Sequence, residues 1–550
     1  MLNMQIDICR SYAEKCFRRA VEPITPPGFT PDWGDRPSYF KIYEGVERLA
    51  LPFEPPADLL SMQELLTRIE TSCESSLKQE GLTLDRLALM LYFAYGILNR
   101  RLRIRPDQGK YRLAHYRSDL YGRGTASGGG LYPAELYWAC GSGGPTIPGL
   151  YHYDTAHHAL ERLSTGDMTR SIQSAVFAYP AALNTNQFLL ITINFWKNAF
   201  KYDNFSYHVV TQDLGALLCS LWFLATGLHI SWQPIFWYQD EALNDLLGLN
   251  ANDESVLAVV PLPVQRLAPE SESVCSQSHP QGPTSFCKGK RSFQRSRKVF
   301  TFEMNREAHQ GTLITDEPRP DPREAVRAGI DEVPRADERI PLPPPALERL
   351  QGDLLETFQK RHSNFGTFAT GSQLSRADLA TILSSASAIR NYRSDVKAGH
   401  SHPHFTHLMV FINNVEGIER GAYAYDPGAH CLQTIYKKDM TLFLQQHYLL
   451  QNYNTADAGA VIAIAGNLES MLHVYGNRGY RLLNAEAGLV AQGIYMVSAA
   501  MTIACGTVLG FANFALNTAL GLDGTDLKTL LFVLVGHNRP DSADIDYRLV

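Results

Sequence analysis

The residues best suited to chemistry form a bare stretch, Ala126-Ser127-Gly128-Gly129-Gly130-Leu131-Tyr132-Pro133-Ala134-Glu135. Three consecutive glycines remove every Cβ that would hold a flat aromatic cofactor off the main chain, and Ser127 adds a hydroxyl beside them. Alone, Ser-Gly-Gly-Gly is a common flexible-loop composition. Its surroundings give it weight: Leu131-Tyr132-Pro133 leads toward a strand, and Gly149-Leu150-Tyr151-His152-Tyr153-Asp154 follows shortly. Further on, Lys201-Tyr202 pairs two side chains that can handle a proton when desolvated beside a ring. By residue type alone, that pair reads as an exposed lysine and a packing tyrosine. Another run, His400, His402, His404 and His407, alternates as metal ligands on a strand face would. No carboxylate or cysteine of suitable spacing accompanies it, so a solvated or interface loop is expected and no metal is assigned.

Taken together, these motifs resemble the SagB-type dehydrogenases, flavin members of the nitroreductase superfamily that oxidise azolines to azoles in modified peptides. The resemblance rests on the loop at 126–135, the Gly-Leu-Tyr-x-Tyr-Asp run at 149–154 and Lys201-Tyr202. The leading segment Arg36-Pro37-Ser38-Tyr39-Phe40-Lys41-Ile42-Tyr43 adds to it. It implies FMN at an interface between two nitroreductase-like units. Ser127, Gly128 and Gly129 would cover the ring, and Lys201 or Tyr202 would take a proton while a hydride leaves for the flavin. Glu135 would lie near the flavin or anchor the loop through a backbone N–H. Lys360-Arg361-His362-Ser363 looks like the family's phosphate-binding Arg-Arg-Ser, and fork donors with a hydroxyl suit a dianionic phosphate. Arg539 would add a second phosphate contact, with Arg266 a weaker counterpart, and Gly510 would pass backbone near the pyrimidine edge.

The elements that position these residues occur twice. Gly149 to Asp154, with His158 and Leu160, returns as Gly421-Ala422-Tyr423-Ala424-Tyr425-Asp426 with His430 and Leu432, an offset of 272 (421 − 149). Tyr202, Asn204, Tyr207 and Gly215 return as Tyr475, Asn477, Tyr480 and Gly488, an offset of 273 (475 − 202). Ala242-Leu243-Asn244 with Gly248-Leu249 matches Ala515-Leu516-Asn517 with Gly521-Leu522. Three matches in one order indicate a tandem duplication. The copies differ in complementary ways. The first keeps the glycine loop and Lys201, where the second has the histidine run and Val474. The second keeps Arg361 and Ser363, whereas residues 68–76 of the first have no such cluster. One FMN between the halves, with its phosphate on the second and its ring under the first, uses every retained part. Arg117 and Arg393, each in Tyr-Arg-Ser-Asp, occur in both copies and are expected to be structural.

Periodicity predicts helices over 84–98, 214–230, 376–389 (N-capped by Ser375) and 487–504. It predicts strands over 136–139, 188–194, 256–260, 408–412, 460–465 and 529–535. The expected fold is α+β, three-layer α/β/α, with two nitroreductase-like domains fused as an intramolecular pseudo-dimer that needs no second copy. Residues 1–265 would form the first domain, 266–338 a Ser/Pro/charged linker, and 339–550 the second. At 550 residues and 45% hydrophobic content the chain exceeds one ordinary core. A net charge of −6 argues against nucleic acid, despite a locally basic stretch at 288–298. Nine cysteines without Cys-x-x-Cys fit a reducing compartment, and Arg10, Glu14, Lys15, Arg18 and Arg19 break every apolar run near the start, so a cytoplasmic location is expected. The apolar run at 214–230 falls short of a membrane span and reads as a helix buried on all sides. The implied partners are a peptide or peptide-derived substrate and a cyclodehydratase or carrier protein. Two other readings stay open: an NAD(P)H-dependent nitro or quinone reductase, and a non-catalytic scaffold of a peptide-modifying complex.

Overall fold

The structure, a computed structural model, describes residues 6–56, 58–71, 81–106, 114–116, 120–264, 291–330, 338–350, 352–364, 366–397, 404–450, 452–540 and 544–548. Its fold is mixed α+β, built on two antiparallel sheets. The first contains β1 (Glu47–Ala50), β2 (Ala134–Cys140), β3 (Gly149–Asp154), β4 (Ala159–Thr165), β5 (Gln187–Asn194) and β6 (Glu254–Leu262), in the order β1-β4-β3-β2-β5-β6. The second contains β7 (Arg339–Pro341), β8 (Thr406–Ile412), β9 (Gly421–Asp426), β10 (Cys431–Tyr436), β11 (Ala460–Asn467), β12 (Ala504–Val508) and β13 (Leu527–Gly536). Its order, β7-β10-β9-β8-β11-β13-β12, repeats the first and adds one edge strand.

The duplication read from motifs extends to strand register. Trp138 opposes Tyr151 and Val410 opposes Tyr423, both members shifted by 272 (410 − 138 and 423 − 151). Register shifts recur at Leu150/Tyr151 and Ala422/Tyr423, and again at Ile191/Thr192 and Ile464/Ala465. Even the hairpin turns match: His158 and His430 hold φ of 48° and 46°, each stabilised by a tyrosine hydroxyl on Nδ1 at 3.0 and 2.8 Å.

Eight helices position the site: α1 (Leu84–Tyr95), α2 (Phe195–Tyr202), α3 (Ser206–Gly227), α4 (Glu303–Gly311), α5 (Leu354–Lys360), α6 (Arg376–Ile389), α7 (Leu468–Tyr475) and α8 (Arg478–Ala500). Ser375 caps α6 by accepting from the Asp378 N–H. The long helices α3 and α8 pack against each other at the centre. A Cβ on Gly215 would collide with the Ala485 carbonyl, and one on Gly488 with the Gln212 carbonyl, so glycine at both repeat-related positions lets the backbones touch. Polar pairs fix the register: His208 Nδ1 lies 2.6 Å from Tyr480 Oη, Gln212 donates to Asn484 at 3.0 Å, and Gln492 donates to Ser220 at 3.0 Å. One apolar core spans both halves through Leu217, Phe223, Ile389 and Val490; smaller cores around Phe188 and Phe411 cover the outer sheet faces. The strand Asp544–Arg548 crosses to the first half and pairs with Asn99–Pro106.

Three expectations need correction. The apolar run at 214–230 belongs to a helix buried on all sides, as its composition suggests, but length is not the reason: α3 has 22 residues, and burial of 94% of its apolar window marks it as a core helix. The helix expected over 487–504 ends at Ala500: Thr502 turns the chain at φ 61°, and Ala504 opens β12. Within 266–338, composition suggests loose order, yet α4 is packed: buried Asn305 accepts from the Tyr207 N–H at 3.1 Å, and Arg478 donates to the Thr312 carbonyl at 2.9 Å. Periodicity misses α4 because polar hydrogen bonds hold much of its buried face.

Candidate functional site

The glycine loop is a fixed object. Residues 128–130 form a single 3₁₀ turn, with Gly129 at φ 67° and Gly130 at φ 66°. From α3, the Asp213 carboxylate accepts from Ser127 Oγ at 2.7 Å and from the Gly128 N–H at 2.8 Å, and Ser127 Oγ accepts from the Tyr132 N–H at 3.0 Å. Burial pushes the Asp213 carboxyl up to about 7 despite those donors. The second half holds the start of the loop. Gln492 of α8 accepts from the Ala126 N–H at 3.0 Å and donates to the Gly124 carbonyl at 3.0 Å.

The structure brings Lys201 and Tyr202 to this loop. They end α2, and a Cβ on Gly129 would lie 2.6 Å from Lys201 Nζ and 2.9 Å from Tyr202 Oη. Lys201 Nζ sits 4.9 Å from the Tyr202 ring centre. Burial, then the charges of Asp213 and Tyr448, raise the Tyr202 pKa, so its hydroxyl stays protonated at neutral pH and is able to donate. Asp203 follows at φ 40°, a conformation that the second half assigns to Gly476 at φ 58°. Beside the loop, the buried Asn198 amide nitrogen has no acceptor, and a Cβ on Gly128 would lie 3.7 Å from it.

Arg361, just past α5, is buried and donates to the Arg123 carbonyl at 2.8 Å, four residues before Ser127. Its Nε has no acceptor. Arg123 is buried too, its guanidinium 4.4 Å from the ring centres of both Tyr95 and Tyr132, and its Nε likewise lacks an acceptor. Ser363 Oγ lies 2.7 Å from Tyr495 Oη, which accepts from the Thr507 N–H at 2.7 Å; the buried Thr507 hydroxyl has no partner. Buried donors without acceptors are costly in a finished core. Two guanidinium N–H groups, an amide and a hydroxyl, unpartnered among the described residues, suit the phosphate and carbonyl oxygens of a flavin nucleotide. The residues present therefore fit such a cofactor.

Other sequence-predicted residues are placed differently. His362 hydrogen-bonds the Lys360 carbonyl at 2.8 Å and Asn364 at 2.9 Å, within its own turn. Arg539 donates to the Phe368 carbonyl at 3.2 Å and lies 3.9 Å from Asp457, half exposed. Gly510 accepts from the Leu449 N–H at 2.7 Å, and a Cβ there would meet Tyr448 at 3.0 Å. Glu135 is anchored by side chains rather than by a backbone N–H, pairing with Lys197 and with His152 Nε2 at 3.1 Å. Arg117, Arg266, His400 and His402 lie outside the described residues. His404 and His407 are held down to about 2 and about 3 by burial and by Arg390.

Several contributors went unnoticed in the sequence: Asp213, Arg123, Gln492, Tyr495 and Asn198. The repeat held a signal for Asp213, because the same offset of 273 leads to Glu486. Glu486 takes the Phe405 and Thr406 N–H groups, each at 3.0 Å, and Lys397 Nζ at 2.8 Å. Each long helix thus carries one buried acid that binds groups of its own half. In the second half the Lys397 ammonium lies 4.5 Å from the Tyr392 ring and 5.1 Å from that of Phe405.

Comparisons with known proteins agree with this architecture. A family model described as the nitroreductase family matches residues 359–537. Over 140 residues the chain is 33% identical to "Putative nitroreductase MJ1384" of Methanocaldococcus jannaschii, covering 25% of this chain and 68% of that one. Its fold is similar to a crystal structure titled as a putative nitroreductase from Anabaena variabilis, with a TM-score of 0.70 and 24% identity over 97% of this chain and 99% of that one. A chain of the E. coli microcin synthetase McbBCD complex with truncated pro-MccB17 is similar at a TM-score of 0.26 and 17% identity, over 48% of this chain and 94% of that one, too little to carry an argument. Identity to a relative covered over two thirds of its length, on a fold shared from end to end, places the chain in the nitroreductase family of oxidoreductases, whose members typically bind a flavin.

Proposed function

We propose that this protein is an FMN-dependent dehydrogenase acting on a peptide-derived azoline or similar heterocycle, with one FMN held between two fused nitroreductase-like units. The observation that carries the reading is the convergence of Lys201 Nζ and Tyr202 Oη on the bare Cα of Gly129. FMN supplies two-electron acceptance when bound there. Asp213 holds Ser127 and Gly128 so that backbone, rather than a side chain, faces the ring. Arg361 and Ser363 hold the phosphate, with Arg123 adding charge from the first half. Tyr202 donates a hydrogen bond that orients the substrate, and Lys201 takes the proton lost as the C–H bond breaks. The azoline substrate class and a cyclodehydratase or carrier-protein partner rest on the motif resemblance. A cytoplasmic setting is supported by Cys9, Cys16, Cys140, Cys219, Cys431 and Cys505, all buried and unpaired.

The test is the absorbance of the purified chain, followed by anaerobic titration. The expected result is about one FMN per chain, bleached by an azoline peptide and left oxidised by NAD(P)H. Bleaching by NAD(P)H alone would move the protein to the nitro or quinone reductases. A colourless protein that takes up no added FMN would leave the scaffold reading.

A further inference from the structure

A shallow cleft with an enclosed volume of about 20 Å³ opens beside the end of the glycine loop, lined by Trp33, Arg36, Tyr39, Leu131, Lys197 and Phe200. Two of its walls belong to the site above: Leu131 follows Gly130, and Lys197 and Phe200 lie on α2, within a helical turn of Lys201. Most cations in this region are already matched. Lys197 pairs with Glu135, and Lys41 pairs with Glu254 at 2.7 Å. Arg36 is not matched. Its Nε is buried without an acceptor, and among the described residues it makes no hydrogen bond or ion pair. Among the described residues its partner is the Tyr39 ring, 4.7 Å from the guanidinium carbon, which holds the fork in place without neutralising it. The acids nearest in sequence are occupied: Asp35 accepts from the Arg297 and Lys298 N–H groups at 2.8 and 2.9 Å, and Asp32 from the Gly34 N–H at 2.9 Å. The remaining walls are aromatic, with Trp33 standing edge-on to Phe200 at 5.2 Å.

We infer that this cleft is a substrate subsite that takes a carboxylate borne on an aromatic or apolar group, with Arg36 as its anion receptor and Trp33, Tyr39 and Phe200 flanking the apolar part. A guanidinium held by a ring and lacking an anion is preorganised for a planar carboxylate, which it can meet with two parallel N–H donors. The enclosed volume of about 20 Å³ takes a group no larger than a carboxylate, so the apolar part lies outside it, along the half-exposed Trp33 ring. The inference deepens the proposed function and rests on it only for what reacts at Gly129; binding in the cleft needs no turnover.

The probe is N-acetyl-phenylalanine against its neutral amide, titrated into the full-length protein by calorimetry and by quenching of tryptophan fluorescence, with flavin absorbance recorded in the same samples. The acid should bind about 10- to 100-fold more tightly than the amide, the range of one charge-assisted contact. Arg36→Met should bring the two within a few-fold of each other without changing flavin content. Equal binding of acid and amide by the unmodified protein would overturn the subsite, as would no binding of either, or discrimination that survives Arg36→Met. A colourless sample with intact discrimination would remove the flavin reading and leave the subsite standing.

Discussion

Two adjacent glycines offer a controlled test of how the ring loop works. Gly129 and Gly130 have nearly the same backbone, φ 67° and 66°, so alanine at either position meets the same left-handed strain, about 1–2 kcal/mol. Their surroundings differ. A Cβ at 130 meets nothing within 4 Å, whereas one at 129 lies 2.6 Å from Lys201 Nζ and 2.9 Å from Tyr202 Oη. The lysine tip can swing aside cheaply, but the tyrosine hydroxyl sits at the end of a rigid ring at the helix terminus. Displacing it should add the cost of overpacking, about 1–3 kcal/mol. Gly130→Ala should therefore lose about 1–2 kcal/mol, and Gly129→Ala about 2–5 kcal/mol once the overpacking is included. Urea denaturation of flavin-stripped protein reads the difference directly. Gly129→Val, with its branched Cβ, should in addition purify without flavin. Equal losses at the two positions, or a Gly129→Val protein that keeps its full flavin complement, would refute the placement of Lys201 and Tyr202 over the loop.

Asp213 should make stability depend on pH in a defined sense. Its carboxyl is raised from 3.8 to about 7, so the folded protein holds a proton that the unfolded chain releases, and stability falls as pH rises through that window. Asp213→Asn removes the term and should gain on the unmodified protein between pH 5 and pH 8, by up to a few kcal/mol at roughly 1.4 kcal/mol per pKa unit; parallel denaturation midpoints at the two pH values would exclude it. Arg361→Met should weaken FMN by about 10- to 100-fold, the range for a charged hydrogen bond, while leaving riboflavin affinity unchanged, because only the phosphate is lost as a partner; fluorescence titration of both ligands checks this, and equal loss for both would fail it. Gly488→Ala should lower stability by about 1–3 kcal/mol, against the roughly 1 kcal/mol that alanine normally gains in a helix, because its Cβ collides with the Gln212 carbonyl. A higher melting temperature for that variant would show that the central helix pair does not depend on backbone contact.

Much of this was legible because the chain carries a second, imperfect copy of itself. Gly215 and Gly488 stood out by position before any packing was known, and the structure supplies the reason, two helices whose main chains touch. Strands such as Ala134–Cys140 and Thr406–Ile412 were legible because both faces are buried, which leaves a continuous apolar run. The segment around Glu303–Gly311 was not, since its buried Asn305 and His309 give no apolar period. Asp213 was missed for the opposite reason. It borders an apolar run and looks like its end, although its carboxylate faces inward and holds the loop 85 residues earlier.

The same comparison explains why the site is lopsided. Asp213 and Glu486 are equivalent acids on equivalent helices, each presenting a carboxylate to its own half. In the first half the carboxylate meets Ser127 and Gly128, with Val209, Lys201 and Tyr202 packed against the glycines. In the second it meets the Lys397 ammonium, buried against Tyr392 and Phe405. Lys201 and Tyr202 have Val474 and Tyr475 as their counterparts, so the lysine of the proton-handling pair occurs in the first half alone, while the tyrosine is common to both.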